Sequence, residues 1–190
     1  MTFDTDPTDA QRRALLIAAG LATASAAPLQ AAVPAGAVPP APTGRPGDFD
    51  FLTGEWKIDN RRWKDGTWDR FEGEATVRGI LGGLVSIEEL RIPARQFSGM
   101  GLRLLDVERR LWADFWVNAR NGVLGGEPSW GSFVDGVGRW DSDDKDGEQP
   151  IIVRGAWDQV TPRSCRWLQA TSRDGGHTWQ ENWVMHWTRA

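Results

Sequence analysis

Tyrosine is absent from this chain of 190 residues, cysteine occurs once and histidine twice. The lone Cys165 excludes an internal disulfide framework. With His177 and His186 as the only other soft ligands, a closed zinc site of histidine and cysteine is excluded as well. No long basic stripe is present and the net charge is -4, so the electrostatic footprint of a nucleic-acid binder is missing. No G-x-S-x-G elbow occurs, and no histidine lies near Cys165, so nucleophile triads gain no support. No long helical periodicity follows Gly54, which leaves no strand–helix junction for a dinucleotide-binding glycine loop.

What is abundant is tryptophan, at 12 residues beside seven phenylalanines. Every tryptophan lies at or after Trp56, so the packed domain starts near there. The first 26 residues read differently. A polar stretch ends in Arg12-Arg13, the apolar run Ala14–Ala22 follows, and Ala24-Ser25-Ala26 offers an A-x-A cleavage pattern. That order is an export signal of twin-arginine type, although Gln11 and the acidic Asp4, Asp6 and Asp9 depart from the consensus. Its apolar run is shorter than the roughly 20 residues a membrane span requires, so cleavage leaves no stable transmembrane span. The expected location is periplasmic or secreted. Residues 27–47 are rich in Ala, Pro and Gly and are expected to form a disordered, extended linker.

From Asp48 the pattern becomes that of a folded domain over residues 48–190. Phe49–Thr53 could make one helical turn, ended by Gly54. Period-two runs follow at Glu55–Trp63, Trp68–Ile80, Leu84–Ile92, Phe97–Asp106, Arg110–Ala119, Ser132–Asp141, Pro150–Gln159, Ser164–Ser172 and Thr178–Arg189. Asp-Gly and Asn-Gly steps between them suit tight hairpins. The expectation is all-β: a single antiparallel up-and-down barrel of about 8–10 strands, closed so that no edge is left open. Ser172–Trp179 matches the S-x-D-x-G-x-T-W "Asp box". One copy cannot build a propeller, so here it shapes the last hairpin.

Gly54-Glu55-Trp56 after a helical turn resembles the G-x-W that opens lipocalins and other calycins. In such barrels a late arginine can cover that tryptophan, a part Arg189 could take. Phe49–Trp56, Ile80–Leu84, Gly99–Leu104 and Ser172–Arg189 together look like an uncharacterised bacterial family of calycin-like domains of unknown function. The resemblance implies a lipocalin-like barrel and brings no catalytic residue with it.

Trp112, Asp114, Trp116 and Asn118 share one strand face, Trp167 and Gln169 another, and Trp179, Glu181, Trp183, Met185, Trp187 and Arg189 a third. Alternation alone allows either side of each strand to be the inner one. Aromatic walls with a few polar groups are typical of small-molecule pockets. The candidate cavity lining is therefore Trp112, Asp114, Trp116, Asn118, Arg154, Trp167, Gln169, Trp183 and Met185. Glu88 and Glu89 must point to opposite faces, and either could pair with an arginine on a neighbouring strand such as Arg103. The acidic run Asp141–Glu148 fails the EF-hand spacing and reads as a solvated hairpin tip. Haem-binding calycins of the nitrobindin type use a late-strand histidine, but His186 falls on the face opposite Trp183, Met185 and Trp187. No cofactor or metal is assigned. Three functions stay open: an exported barrel binding a small apolar or aromatic ligand; an enzyme on the same barrel, with Asp114, Glu89 or Glu181 as the buried acid; and an interaction module with a filled core.

Overall fold

Apolar–polar alternation over short runs builds a wall with one dry face, and ten such runs close on themselves here. The computed structural model describes residues 36–124 and 126–190. The strands are β1 (Gly54–Lys64), β2 (Thr67–Ile80), β3 (Val85–Ile92), β4 (Phe97–Asp106), β5 (Leu111–Asn118), β6 (Ser129–Val134), β7 (Val137–Asp146), β8 (Gln149–Asp158), β9 (Ser164–Ser172) and β10 (Gln180–Arg189). Each pairs antiparallel with its chain neighbours, and β10 returns to β1 with Arg189 opposite Trp56. The result is an all-β, up-and-down closed barrel, consistent with a lipocalin-like or calycin-like architecture. Among the described residues no helix is long and apolar enough to cross a membrane.

The run Ser132–Asp141 proves to be parts of two strands. Asp135-Gly136 turns the chain between β6 and β7, with φ of 50° and 77°. Positive φ at both central residues is what a two-residue hairpin requires, and so short a turn hardly interrupts the apolar pattern around it. The acidic run also behaves differently from a solvated tip. Strand β7 continues through Asp146, and its carboxylates find partners: Asp141 with Arg154, Asp143 with the Ala37 N–H, and Asp146 with Arg173. Only the Gly147-Glu148 step is left as the turn.

One end of the barrel is plugged. The 3-10 turn Asp50–Leu52 tucks inward, with Phe49 and Leu52 buried. Phe49 meets the edges of Trp112 and Phe133 at centroid distances of 4.9 and 5.1 Å. Trp56 donates its indole N–H to the Leu52 carbonyl at 2.7 Å. Arg189 lies 4.3 Å over the Trp56 ring and donates to the carbonyls of Phe51, Thr53 and Pro162, which ties the last strand to the plug. Packing against the barrel starts before Asp48. Residues 36–43 run along β7 and β6, where Ser132 Oγ donates to the Ala41 carbonyl and Thr43 Oγ1 to the Phe133 carbonyl, and the Gly44 and Gly47 N–H groups then donate to the carbonyls of Arg110 and Gly83. The expected signal over residues 1–26 and the first part of the expected linker lie outside the described residues.

Strand β10 carries a bulge between Glu181 and Trp183. An extra residue in one strand reverses which side its flanks present. Trp183, Met185 and Trp187 are therefore inside. Glu181 lies outside, opposite Ala170, and Trp179 packs on the outer cluster of Ala156, Leu168, Ala170 and Val184. His186 is exposed on the outer face.

Candidate functional site

Above the plug the barrel holds a cavity of about 500 Å³. Its aromatic wall is Trp116, Trp140, Trp157, Trp167, Trp183 and Trp187, contributed by β5, β7, β8, β9 and β10. Such bulky rings fit because small residues stand across from them. A Cβ at Gly99 would collide with the Trp116 ring, and one at Gly131 or Gly138 with Trp140. Trp183 is fixed by donating its indole N–H to Asn60 Oδ1 at 3.0 Å. Trp140 donates to the Trp112 carbonyl at 3.1 Å. These bonds hold the Trp183 and Trp140 rings in one orientation.

The barrel wall is weakest between β5 and β6. Their pairing ends at Asp114 opposite Ser129, whereas β5 runs on to Asn118. The connection between them borders the cavity there, with Gly126 and Glu127 in the lining. Arg62, Ser129 and these two residues mark the end away from the plug.

Of the nine residues expected to line a cavity, Asp114, Trp116, Trp167, Gln169, Trp183 and Met185 do so. Trp112 points inward but sits below the floor, fully buried, with its indole N–H on Asp48 Oδ2 at 3.1 Å. Asn118 is buried beyond the lining, where its Oδ1 accepts the Arg120 N–H at 2.9 Å. Arg154 is a correction, because it projects from the outer face. The inner residues of β8 are Val153, Gly155 and Trp157, and alternation puts Arg154 opposite them. There it makes two bonds of 2.7 Å to Asp141 and stacks 3.7 Å over the Trp179 ring.

Three charged side chains form the polar corner of the cavity. Arg103 on β4 donates through Nη2 to Glu88 Oε2 on β3 at 2.6 Å, and their side chains are only 5% and 4% exposed. Gly101 stands directly opposite Glu88, and a Cβ there would come within 3.2 Å of Arg103 Nη2. The glycine thus leaves room for the pair. Arg103 also rests over the rings of Phe49 and Trp157, at 5.1 and 5.4 Å, so it forms part of the floor. Asp114 on β5 pairs in register with Arg103, and its Oδ1 is 3.6 Å from Nε, too far for a hydrogen bond.

Burial raises the Asp114 carboxyl to about 6, with Arg103 opposing that rise and Glu88 adding to it. Burial works against the Arg103 charge, but Glu88 and Asp114 outweigh it and the guanidinium stays protonated. Burial, reinforced by Glu88, pushes the inward Cys165 thiol up to about 12, which leaves no thiolate at neutral pH.

The other two candidate acids lie elsewhere. Glu89 is on the outer face with Arg91 at 2.8 Å, and Glu181 sits between Arg61 and Arg166. Sequence reasoning missed Arg103 and Glu88 as cavity residues, although it saw that the two could pair. Placing them requires the register that sets Glu88 across from Gly101 and Arg103 across from Asp114. Among the described residues no group of three His, Cys, Asp or Glu side chains is placed to hold a metal ion.

No family model matches the chain, and no curated protein matches it. Among solved structures, it is similar to a protein of unknown function from the DUF3598 family of Nostoc punctiforme PCC 73102. The two share 10% sequence identity and superpose with a TM-score of 0.48. The match covers 75% of this chain and 49% of the other, so the chain spans about half the length of that protein.

Proposed function

We propose that this chain is an exported barrel that binds a small apolar or aromatic molecule in its interior. The observation that carries the reading is the cavity itself, about 500 Å³ walled by six tryptophans with one corner of charged side chains. Small-molecule sites typically have ~300–1,000 Å³ and that composition. A filled core, which the interaction-module reading needs, is not what the barrel contains. Export rests on the Arg12-Arg13 and Ala24-Ser25-Ala26 pattern, and it places the protein in the periplasm or outside the cell.

An enzyme on the same barrel is the second reading. Asp114 favours it, as a carboxyl raised to about 6 that faces a largely apolar cavity and could exchange a proton with a small metabolite at neutral pH.

Native mass spectrometry of the purified chain tests the binding reading. One small molecule held per chain, either co-purified or added as indole, is the expected result. A chain that carries nothing and takes up no apolar aromatic compound contradicts it.

A further inference from the structure

The cavity has an uneven charge balance. Its lining holds two arginines, Arg62 and Arg103, against three carboxylates, Glu88, Asp114 and Glu127. Arg62 and Glu127 belong to the mouth, and Arg62 lies 5.0 Å over the Trp183 ring. Deeper in, Arg103 and Glu88 neutralise each other through their 2.6 Å bond. Asp114 is then the excess charge. Its side chain lines the cavity, is 29% exposed and accepts no hydrogen bond from the described residues.

An anionic guest finds no complement here. The Nε and Nη1 groups of Arg103 make no hydrogen bond, but both are sealed from solvent. Against the phenyl ring of Phe49 and the indole of Trp157, that guanidinium is part of the floor. Past the mouth, a carboxylate would meet Asp114 beside an Arg103 already paired with Glu88. A cation meets the opposite situation, because Asp114 supplies a charge partner and the tryptophan faces supply negative quadrupoles. Trp116 is two residues along the same strand face as Asp114 and borders the same space.

We propose that the guest is an organic monocation, an amine carried on an aromatic or similarly apolar body, with its ammonium group on Asp114 and its body against the tryptophan wall. This rests on the ligand-binding reading above and narrows it to a substrate class. The other charged groups facing Asp114 are Arg103 from β4 and Glu88 from β3, with Arg62 and Glu127 farther out. Neither Arg103 nor Glu88 adds a net charge while they stay paired, so the sign of the site follows Asp114.

Three indoles of nearly equal shape and different charge make the test: tryptamine, tryptophol and indole-3-acetate. Isothermal titration of the full chain near pH 7.5 should show tryptamine binding about tenfold or more tighter than tryptophol, with indole-3-acetate weakest. Asp114→Asn should bring tryptamine to the level of tryptophol. Lowering the pH to about 4.5 should weaken tryptamine alone, since Asp114 is then protonated. This arm uses the unaltered chain, so it decides the question even if the variant fails to fold. Should tryptophol or indole-3-acetate bind as tightly as tryptamine, the amine assignment is overturned and the cavity reading stands. Tryptamine binding that ignores both pH and the loss of Asp114 overturns it too. If none of the three binds at millimolar concentration, both readings fall.

Discussion

Arg103 and Asp114 face each other across a β4–β5 rung, yet 3.6 Å separates Nε from Oδ1 because the guanidinium is drawn toward Glu88 at 2.6 Å. The pair is close enough to temper the Asp114 charge and too far apart to bond it. Burial therefore dominates and the carboxyl rises to about 6. A carboxyl with a raised folded value holds more protons in the native state than in the unfolded one between roughly pH 4 and pH 6. Stability should therefore fall as pH rises through that window, by up to about 2 kcal/mol after allowing for partial solvent access. Urea unfolding across this range measures the slope, and Asp114→Asn should remove it. A slope that persists in the variant assigns the effect to another group.

Glu88 is the counterweight that makes a buried arginine tolerable. Replacing Glu88 by Leu leaves the Arg103 charge, at 5% exposure, with only Asp114 at 3.6 Å, which should cost about 3 kcal/mol. Replacing both, Glu88→Leu with Arg103→Met, should cost less than the single change, because the buried guanidinium is gone and Asp114 can take up a proton. Chemical denaturation of the four proteins in this cycle provides the comparison. A double variant as unstable as the sum of the singles would mean that the pair itself, and not the orphaned charge, carries the stability.

Arg189 joins the two ends of the domain. It covers Trp56 at 4.3 Å and donates to carbonyls of the plug, including Phe51 at 2.8 Å. Loss of a cation–π contact and of hydrogen bonds to these carbonyls should make Arg189→Ala about 2–4 kcal/mol less stable. Arg189→Lys should recover little, since a single ammonium cannot reach the Phe51, Thr53 and Pro162 carbonyls together. Thermal melts of the two variants check this.

Asp174 responds to pH with the opposite sign to Asp114. Its carboxylate accepts from the Thr178 hydroxyl at 2.6 Å, the Thr178 N–H at 2.9 Å and Ser172 Oγ at 2.8 Å, and these bonds hold its carboxyl below the usual range. The depressed value means that its stabilisation is present above the ordinary carboxylate range and is lost on acidification. Asp174→Ala should lower Tm at neutral pH and shrink the loss on acidification. Melts at neutral and acid pH distinguish this from a hairpin that holds without the carboxylate.

Much of the architecture was legible in the alternation. The β5 face of Trp112, Asp114, Trp116 and Asn118 is inside as a unit, and the G-x-W turn does receive Arg189. The errors arose where one residue changes the parity. The bulge at β10 sent Trp179 and Glu181 outward while Trp183 stayed in. Asp135-Gly136 divided one apparent strand into two. Arg154 looked like a cavity residue because aromatic and charged residues mix on both barrel faces, and only closure shows which side of β8 is concave. The polar corner is a property of three adjacent strands. Glu88, Arg103 and Asp114 are separated in sequence and meet only through register, which composition and spacing do not carry.

The central claim is that the interior of the barrel takes a guest, and filling that interior tests it most directly. Gly155 lines the cavity on β8, and a Cβ there would have nothing nearer than 3.8 Å, at Trp167 Nε1. Gly155→Leu should therefore be accommodated by the fold while its side chain occupies guest volume. Calorimetric titration with indole should show saturable 1:1 binding to the native chain and at least about tenfold weaker binding to the variant, the size of effect that one occluded apolar contact site produces. Equal binding to both, or none to the native chain, would contradict a guest inside the barrel.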